Sequence, residues 1–165
     1  MSNIWLTSDL HIGHANVIKY ENRPFRDVDQ MNRTLIENWN RAVHRQDRVF
    51  LLGDIFFKIN KECATSIVSE LKGHKTLIMG NHDRGKSITW WKDVGFDEVS
   101  KYPIIMEKFY MLSHEPLYIN DSMPYVNVHG HIHSKQMDHK QYYNVSVELH
   151  DYGPVNFETI KEKYK

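Results

Sequence analysis

Short apolar runs in this chain are each followed closely by aspartate, histidine or asparagine side chains. Runs of this length, rich in Val, Ile, Leu and Phe and bounded by Gly or Ser, are typical of buried β-strands. In an open α/β sheet, ligands bind outside the carboxyl ends of the strands, so these polar side chains should converge on one crevice. The runs cover residues 4–6, 49–52, 76–79, 109–112 and 125–128. The polar side chains are Asp9, His11, Asp54, Asn81, His114, His131 and His133.

Oxygen and imidazole nitrogen atoms make up this donor set, which contains no thiolate. A single divalent ion takes about four to six ligands, so a set of seven suits two ions that share one bridging carboxylate. Asp54, alone on its strand end, is the natural bridge. The donors favour manganese, iron, zinc or nickel over copper(I) or calcium. Two such ions about 4 Å apart can activate a bridging water and stabilise an in-line displacement at phosphorus, which predicts phosphoester hydrolysis.

Each motif alone is a limited signal, because a lone histidine beside a strand is more often a packed or surface residue than a ligand. Asp-x-His and Gly-Asp are weak patterns, whereas Gly-Asn-His-Asp and Gly-His-x-His are moderately specific. Their occurrence together and in this order favours a metal centre over coincidence.

Helices of crossover length are predicted between the strands. Asp27 can cap a helix that runs to about residue 43, with Gln30 completing a capping-box pattern. A second helix should span about residues 61–72 and end at Gly73. Ser87 should open a short third helix that Gly95 closes.

The remaining segments predict further strands and one more helix. Residues 101–106 and 109–112 could form a hairpin across Glu107-Lys108. Residues 141–149 are typical of a late strand with Val145, Val147 and Leu149 on one face, and Asn156 can cap a final helix through residue 165. No linker or repeat divides the chain, so we expect a single domain over residues 1–165.

Composition narrows the function classes. Lys plus Arg and Asp plus Glu both total 21, so no overall charge attracts nucleic acid or an anionic membrane. The single cysteine, Cys63, excludes an internal disulfide and a thiolate zinc cluster, and it fits a reducing compartment. No signal peptide is predicted, because Asp9 interrupts the apolar start, and no stretch approaches the roughly 20 apolar residues of a membrane helix. We therefore expect a cytoplasmic protein with no membrane partner.

The series of motifs resembles that of the calcineurin-like metallophosphoesterase superfamily and extends over residues 9–133. It comprises Asp9-x-His11, Gly53-Asp54, Gly80-Asn81-His82-Asp83, His114 and Gly130-His131-x-His133. The resemblance implies an α/β fold, an αββα sandwich of mixed β-sheets flanked by helices, with a dinuclear metal site at the top of the sheets.

The same resemblance implies a role for each motif residue. It makes His82 a catalytic histidine that faces the substrate phosphate without binding metal, oriented by Asp83. The implied nucleophile is a hydroxide that bridges two divalent ions, with manganese favoured. One ion would take Asp9, His11, Asp54 and His133, and the other Asp54, Asn81, His114 and His131.

The chain departs from the serine/threonine protein phosphatases of that superfamily, which follow Gly-Asp with a Val-Asp-Arg-Gly-like stretch and use Gly-Asn-His-Glu. Here Asp54 is followed by Ile55-Phe56-Phe57-Lys58, and the later motif ends in Asp83. A small phosphodiester, a nucleotide or a nucleic-acid end is therefore the expected substrate. A phosphomonoesterase is an alternative, and a non-catalytic metal-binding scaffold is another, disfavoured because His82 and all ligands are present.

Several residues outside the set could also serve a function. His14 could reach the substrate rim, whereas His129 should point away from the crevice because side chains alternate along strands. Guanidinium groups suit phosphate recognition, although exposed arginines are common. The arginines concerned are Arg23, Arg26 and Arg84. The Trp90-Trp91 pair favours a core or interface position, and surface positions are expected for His44, His74, His139 and His150.

Overall fold

Two mixed β-sheets make up the centre of the computed structural model, which describes residues 2–165. The first sheet has the order β4-β3-β2-β1-β9, with β1 to β4 parallel and β9 antiparallel to β1. Its strands are β1 (Ile4–Thr7), β2 (Arg48–Leu51), β3 (His74–Ile78), β4 (Glu98–Ser100) and β9 (Val155–Asn156).

The second sheet has the order β5-β6-β7-β8, in which only β5 runs antiparallel to its neighbour. Its strands are β5 (Ile104–Met106), β6 (Tyr110–Leu112), β7 (Val126–His129) and β8 (Tyr142–Asn144). All five apolar runs of the sequence therefore form strands, as predicted, but three lie in one sheet and two in the other. With helices flanking these sheets, the predicted fold class is confirmed.

Alternate side chains along the strands of the first sheet belong to two different hydrophobic cores. Val49 and Leu51 of β2 pack with the helices, whereas Phe50 and the following Leu52 pack with residues of the second sheet, such as Val128. Because successive side chains of a strand point to opposite faces, one apolar run supplies both cores.

Five α-helices accompany the sheets within residues 2–165. They are α1 (Ala15–Tyr20), α2 (Val28–Ala42), α3 (Lys61–Glu70), α4 (Ile88–Val94) and α5 (Phe157–Lys163). None of the described helices is long and apolar enough to span a membrane.

The helix ends largely follow the predicted capping residues. The side chains of Asp27, Ser87 and Asn156 each accept a hydrogen bond from a main-chain N–H in the first turn of their helix. The Gln30 side chain accepts from the N–H of Arg26 instead of Asp27, so the capping box is displaced by one residue. Helix α3 ends at Glu70, two positions before the predicted end, and α1 and β4 were not predicted.

The chain after β8 differs from the predicted long strand over residues 141–149. Val145 packs between the sheets and Val147 in the helix-side core, so the two do not share one face. Ser146 bridges to Ser8, and a short 3₁₀ helix, Val147–Leu149, follows. By contrast, the predicted hairpin is confirmed as β5 and β6.

Candidate metal centre

The polar side chains that follow five of the strands meet at one end of both sheets. Asp9 and His11 follow β1, Asp54 follows β2, and Asn81 follows β3. The other side chains, His114, His131 and His133, follow β6 and β7. Because β1, β2 and β3 are parallel, as are β6 and β7, their carboxyl ends lie at common edges. The predicted crevice therefore exists, but the edges of two sheets form it instead of one open sheet.

One group of donor atoms consists of Asp9, His11 and His133, whose donor atoms all lie within 4.8 Å of one another. The Asp9 Oδ1 atom is 3.9 Å from Nε2 of His11 and 3.9 Å from Nε2 of His133. Since Zn–N and Zn–O bonds measure about 2 Å, donor atoms at this separation can surround one cation.

A second group consists of Asp54, His114 and His131. The Asp54 Oδ2 atom lies 3.4 Å from Nε2 of His114, and Nδ1 of His131 lies 3.1 Å from the same nitrogen. The amide oxygen of Asn81 is 2.9 Å from Nε2 of His114 and 3.1 Å from Nδ1 of His131. Four donor atoms thus face one point.

Asp54 lies between the two groups. Its Oδ2 atom is 3.4 Å from the His114 ring nitrogen and 3.7 Å from Nε2 of His11, which belongs to the other group. A single carboxylate in this position can contribute to two cation sites.

Unpaired polar atoms show that the donor set fits cations. Asp9 Oδ1 and His11 Nε2 are buried and have no hydrogen-bond partner in the described part of the chain. A buried polar atom without a partner is costly, and a cation bound between a carboxylate oxygen and an imidazole nitrogen would satisfy both. The donors are all nitrogen or oxygen, which suits a divalent transition ion.

The backbone of the donor residues is unusual. Asp9, His11, Asp54, His131 and His133 have φ between 51° and 70°, in the left-handed region. Non-glycine residues rarely adopt this conformation, and such strain is often found at functional sites. These left-handed residues are thus ones whose side chains supply donor atoms.

Glycines before the donors allow a close approach of the loops. Gly53 has φ of 88°, and a Cβ there would lie 2.5 Å from Nδ1 of His114. A Cβ on Gly130 would collide with the side chains of Ser8 and Asp9. The glycines of the Gly-Asp and Gly-His-x-His motifs are therefore required by packing around the donors.

A sequence profile of calcineurin-like phosphoesterases matches residues 2–163. The chain belongs to this family. It is 38% identical over 175 residues to an uncharacterized protein of Methanocaldococcus jannaschii, covering 97% of this chain and 90% of that protein. It is also 42% identical over 86 residues to the gene 66 protein of Mycobacterium phage D29, covering 51% of this chain and 42% of the phage protein.

A solved structure supports the fold. The crystal structure of a protein of unknown function from Aquifex aeolicus matches with a TM-score of 0.78 and 25% identity, covering 98% of this chain and 99% of that one. Family membership and the two groups of aspartate and histidine donors together support a metal-dependent phosphoesterase.

The electrostatics of this calcineurin-like phosphoesterase keep one donor histidine neutral and another charged in the absence of cations. Burial lowers the pKa of His11 to about 3. Burial also acts to lower the pKa of His114. The hydrogen bond with Asp54 and the negative charges of Asp9 and Asp54 have a larger effect and raise this pKa to about 9. Burial likewise acts against ionised Asp54, but its interactions with His114 outweigh it and hold the pKa at about 2. A bound cation would replace the proton of His114, so metal binding and protonation should compete.

His82 lies at the rim of the centre. Its side chain is 38% exposed, and its Nε2 atom is 4.0 Å from Oδ2 of Asp54. The main-chain N–H of His82 donates to Oδ1 of Asp54, which ties its loop to that carboxylate. His82 is therefore close to both donor groups and accessible to a substrate.

The expectation that Asp83 orients His82 is wrong. The Asp83 carboxylate is buried and accepts hydrogen bonds from the main-chain N–H groups of Asp54, Gly80 and Ile55. Burial raises the pKa of Asp83 to about 7. The N–H donors favour the ionised carboxylate and act in the opposite direction, but burial has the larger effect. Asp83 braces the loops that carry Asp54 and Asn81 and has no hydrogen bond to the His82 ring in the described residues.

Glu148 and the buried position of Arg23 were not predicted from the sequence. Oε1 of Glu148 is 2.9 Å from Nδ1 of His133 and also accepts hydrogen bonds from the Arg23 guanidinium. Arg23 is buried and donates to the main-chain oxygens of Asp9 and Leu10, so it is not a surface residue free to bind phosphate. Ser146, also missed, donates to Oδ2 of Asp9.

The other candidate residues have varied positions. His14 stacks on Phe57 and lies beside His11, with the two Nδ1 atoms 3.5 Å apart, so it borders the first donor group. His129 is buried and belongs to neither donor group. His150, expected at the surface, is half-buried, and its Nε2 donates to the main-chain oxygen of Asn144.

Proposed function

We propose that this calcineurin-like phosphoesterase hydrolyses phosphodiesters with two divalent cations. One would be held by Asp9, His11 and His133 and the other by Asn81, His114 and His131, with Asp54 shared. This proposal rests on the position of Asp54 between two groups of donors. In one of these groups, buried donor atoms have no hydrogen-bond partner in the described part of the chain. When bound, such a pair of ions supplies an activated water at neutral pH and charge stabilisation for in-line displacement at phosphorus.

The chain itself contributes His82. Its exposed ring lies beside Asp54, where it can bind a non-bridging phosphate oxygen or donate a proton to the leaving oxygen. His14 and Phe57 form the adjacent rim.

The ion pairs formed by Arg23 and Arg84 favour a diester substrate over a monoester. Arg23 is bound to Glu148 and to two main-chain oxygens, and Nη2 of Arg84 donates to both carboxylate oxygens of Glu115. A dianionic monoester commonly calls for a guanidinium on its terminal oxygens, whereas a monoanionic diester needs less positive charge.

A reconstitution experiment tests the proposal. Protein stripped with a chelator is supplied with manganese, iron, zinc, nickel or magnesium and assayed on aryl and nucleotide phosphodiesters and on phosphomonoesters. We expect two bound ions per chain, manganese as the best activator, magnesium as a poorer one because it prefers oxygen ligands, and faster turnover of diesters. Full activity of verified metal-free protein would overturn the mechanism. Stoichiometric metal binding without turnover of any ester would favour a scaffold.

We also propose a cytoplasmic location, since the exposed thiol of Cys63 suits a reducing compartment.

A further inference from the structure

A pocket of about 100 Å³ adjoins the metal centre, because His82 forms part of its wall. Its inner surface is aromatic. The buried rings of Phe56 and Trp91 are nearly parallel, with centroids 6.0 Å apart, and Trp90 contacts Trp91 edge to face. Trp90 is half-buried, so its ring offers the accessible aromatic face, and the pocket is one ring, that of His82, away from Asp54. Such a face binds planar or apolar groups.

The pocket walls belong to the two segments that carry the central donors. The segment after Asp54 supplies Phe56, which bridges to Ile12, and Lys58, whose φ of 48° lies in the left-handed region. The segment after Asn81 supplies Lys86 and, in the first turn of α4, Trp90. The loops that place Asp54 and Asn81 therefore also fix the pocket.

Two lysines at the pocket carry charge that the protein does not neutralise. Lys58 and Lys86 line the pocket and are exposed, and neither forms an ion pair in the described part of the chain. Their neighbours differ, because Lys61 is paired with Asp93 and Arg84 with Glu115.

Both ammonium groups lie near aromatic rings of the same region. Nζ of Lys58 is 5.3 Å from the centroid of Phe57, and Nζ of Lys86 is 5.1 Å from that of Trp90. These cation–π contacts hold positive charge at the mouth of an aromatic pocket. The surface is therefore complementary to a ligand with an aromatic ring and an anionic group.

We propose that this pocket binds the part of the substrate next to the scissile phosphate, and that this part is a nucleotide unit with a second phosphate. The base occupies the aromatic pocket, and Lys58 and Lys86 bind the second phosphate. Aromatic side chains combined with lysine are a common surface for nucleotide bases and their backbone. This inference rests on the proposed function for the identity of the scissile group. The same chemistry occurs in a small nucleotide diester, of which a nucleoside bisphosphate is the part held here, and at the end of a single strand.

Equilibrium binding tests the inference separately from catalysis. Trp90 and Trp91 line the pocket, so intrinsic fluorescence should report its occupation. The titrations use protein in excess chelator, because metal-free protein should not hydrolyse the ligands. The ligands are adenosine 5′-monophosphate, adenosine 3′,5′-bisphosphate and a 5′-phosphorylated single-stranded tetramer of deoxyadenosine. The variants are Lys58→Gln, Lys86→Gln and their combination. The control is Lys92→Gln, which removes an exposed lysine from α4 that does not line the pocket.

We expect the bisphosphate to bind roughly tenfold or more tightly than the monophosphate, as for a charged contact. The double variant should lose this preference, and the Lys92→Gln control should keep it. Tighter binding of the tetramer than of the bisphosphate would identify a strand end as the source, and equal binding a small nucleotide diester. Equal affinities of the monophosphate and bisphosphate, or an equal loss in the control, would overturn the inference. Selective binding together with no hydrolysis by manganese-loaded protein would instead overturn only the proposed function.

Discussion

The Nδ1 atom of His133 lies 2.9 Å from Oε1 of Glu148, and the same oxygen accepts a hydrogen bond of 2.6 Å from the Arg23 guanidinium. Arg23 in turn donates to the main-chain oxygen of Asp9. Glu148 therefore fixes the His133 ring with the Nδ1 proton directed away from the centre and Nε2 directed toward Asp9. Carboxylates in this position orient metal-binding histidines and make them more basic.

Glu148→Gln should weaken binding of the cation next to His133 about 10- to 100-fold, the usual effect of losing such a partner. Chelator competition measures the affinity, and thermal unfolding of metal-free protein measures the separate cost of leaving Arg23 without its counter-ion. Glu21→Gln is the matched control, because Glu21 also lies near His133 and Glu148 but, within residues 2–165, has no hydrogen bond to either. Unchanged metal affinity in Glu148→Gln would show that the carboxylate only neutralises Arg23.

Asp54→Asn should reduce kcat/KM more than about 100-fold, since loss of a mere hydrogen-bond partner of a ligand costs 10- to 100-fold. A neutral amide is a poor bridge between two cations, so elemental analysis should find fewer than two ions per chain. His129→Ala serves as the control, because this buried histidine belongs to neither donor group. It should keep its metal content and lose about 1–3 kcal/mol of unfolding free energy. Two bound ions and normal turnover in Asp54→Asn would contradict the shared role.

His150 should make the protein less stable in mild acid. Burial lowers its pKa below the ordinary 6.5, so below that pH the unfolded chain binds the proton more readily than the folded one. The contribution of neutral His150 to the free energy of unfolding is complete above the pKa of this group in the unfolded chain. It is lost as the pH falls, by at most about 1.4 kcal/mol per pH unit. Urea unfolding of metal-free protein between about pH 7.5 and about pH 5.5 measures this loss. His150→Gln should flatten the profile, and an identical slope in both proteins would contradict the assignment.

The donor residues could be predicted from the sequence because they follow apolar runs, and parallel strands bring the ends of such runs together. The helix caps at Asp27, Ser87 and Asn156 could be predicted because a cap is a local interaction within one turn. The Arg23–Glu148 contact joins residues 125 positions apart, and no local pattern marks either of them. The left-handed backbone of Asp9 and His11 has only a weak signature in residue type, because Asp and His adopt it more often than other non-glycine residues but still rarely.

Adjacency in sequence was a poor guide to contact at Asp83. The side chain next to His82 points into the protein, where it binds main-chain N–H groups of two loops. Asp83→Ala should therefore leave these donors unsatisfied and cost about 1–3 kcal/mol for each buried N–H. Urea unfolding should show this loss in metal-free protein. A variant with unchanged stability but reduced turnover would restore a direct catalytic role for Asp83.

His82→Ala separates catalysis from metal binding. The ring is exposed beside Asp54 and is not needed for either donor group, so the variant should keep its bound metals. Proton donation to a leaving alkoxide is worth roughly 10²- to 10⁴-fold in rate, and a nitrophenolate needs it less because it is a better leaving group. The variant should therefore lose most turnover on an alkyl diester and much less on a nitrophenyl diester, as steady-state kinetics with both esters would measure. An equal loss on both substrates would instead assign His82 to stabilising charge on the phosphoryl oxygens. A loss of metal content would make it a ligand.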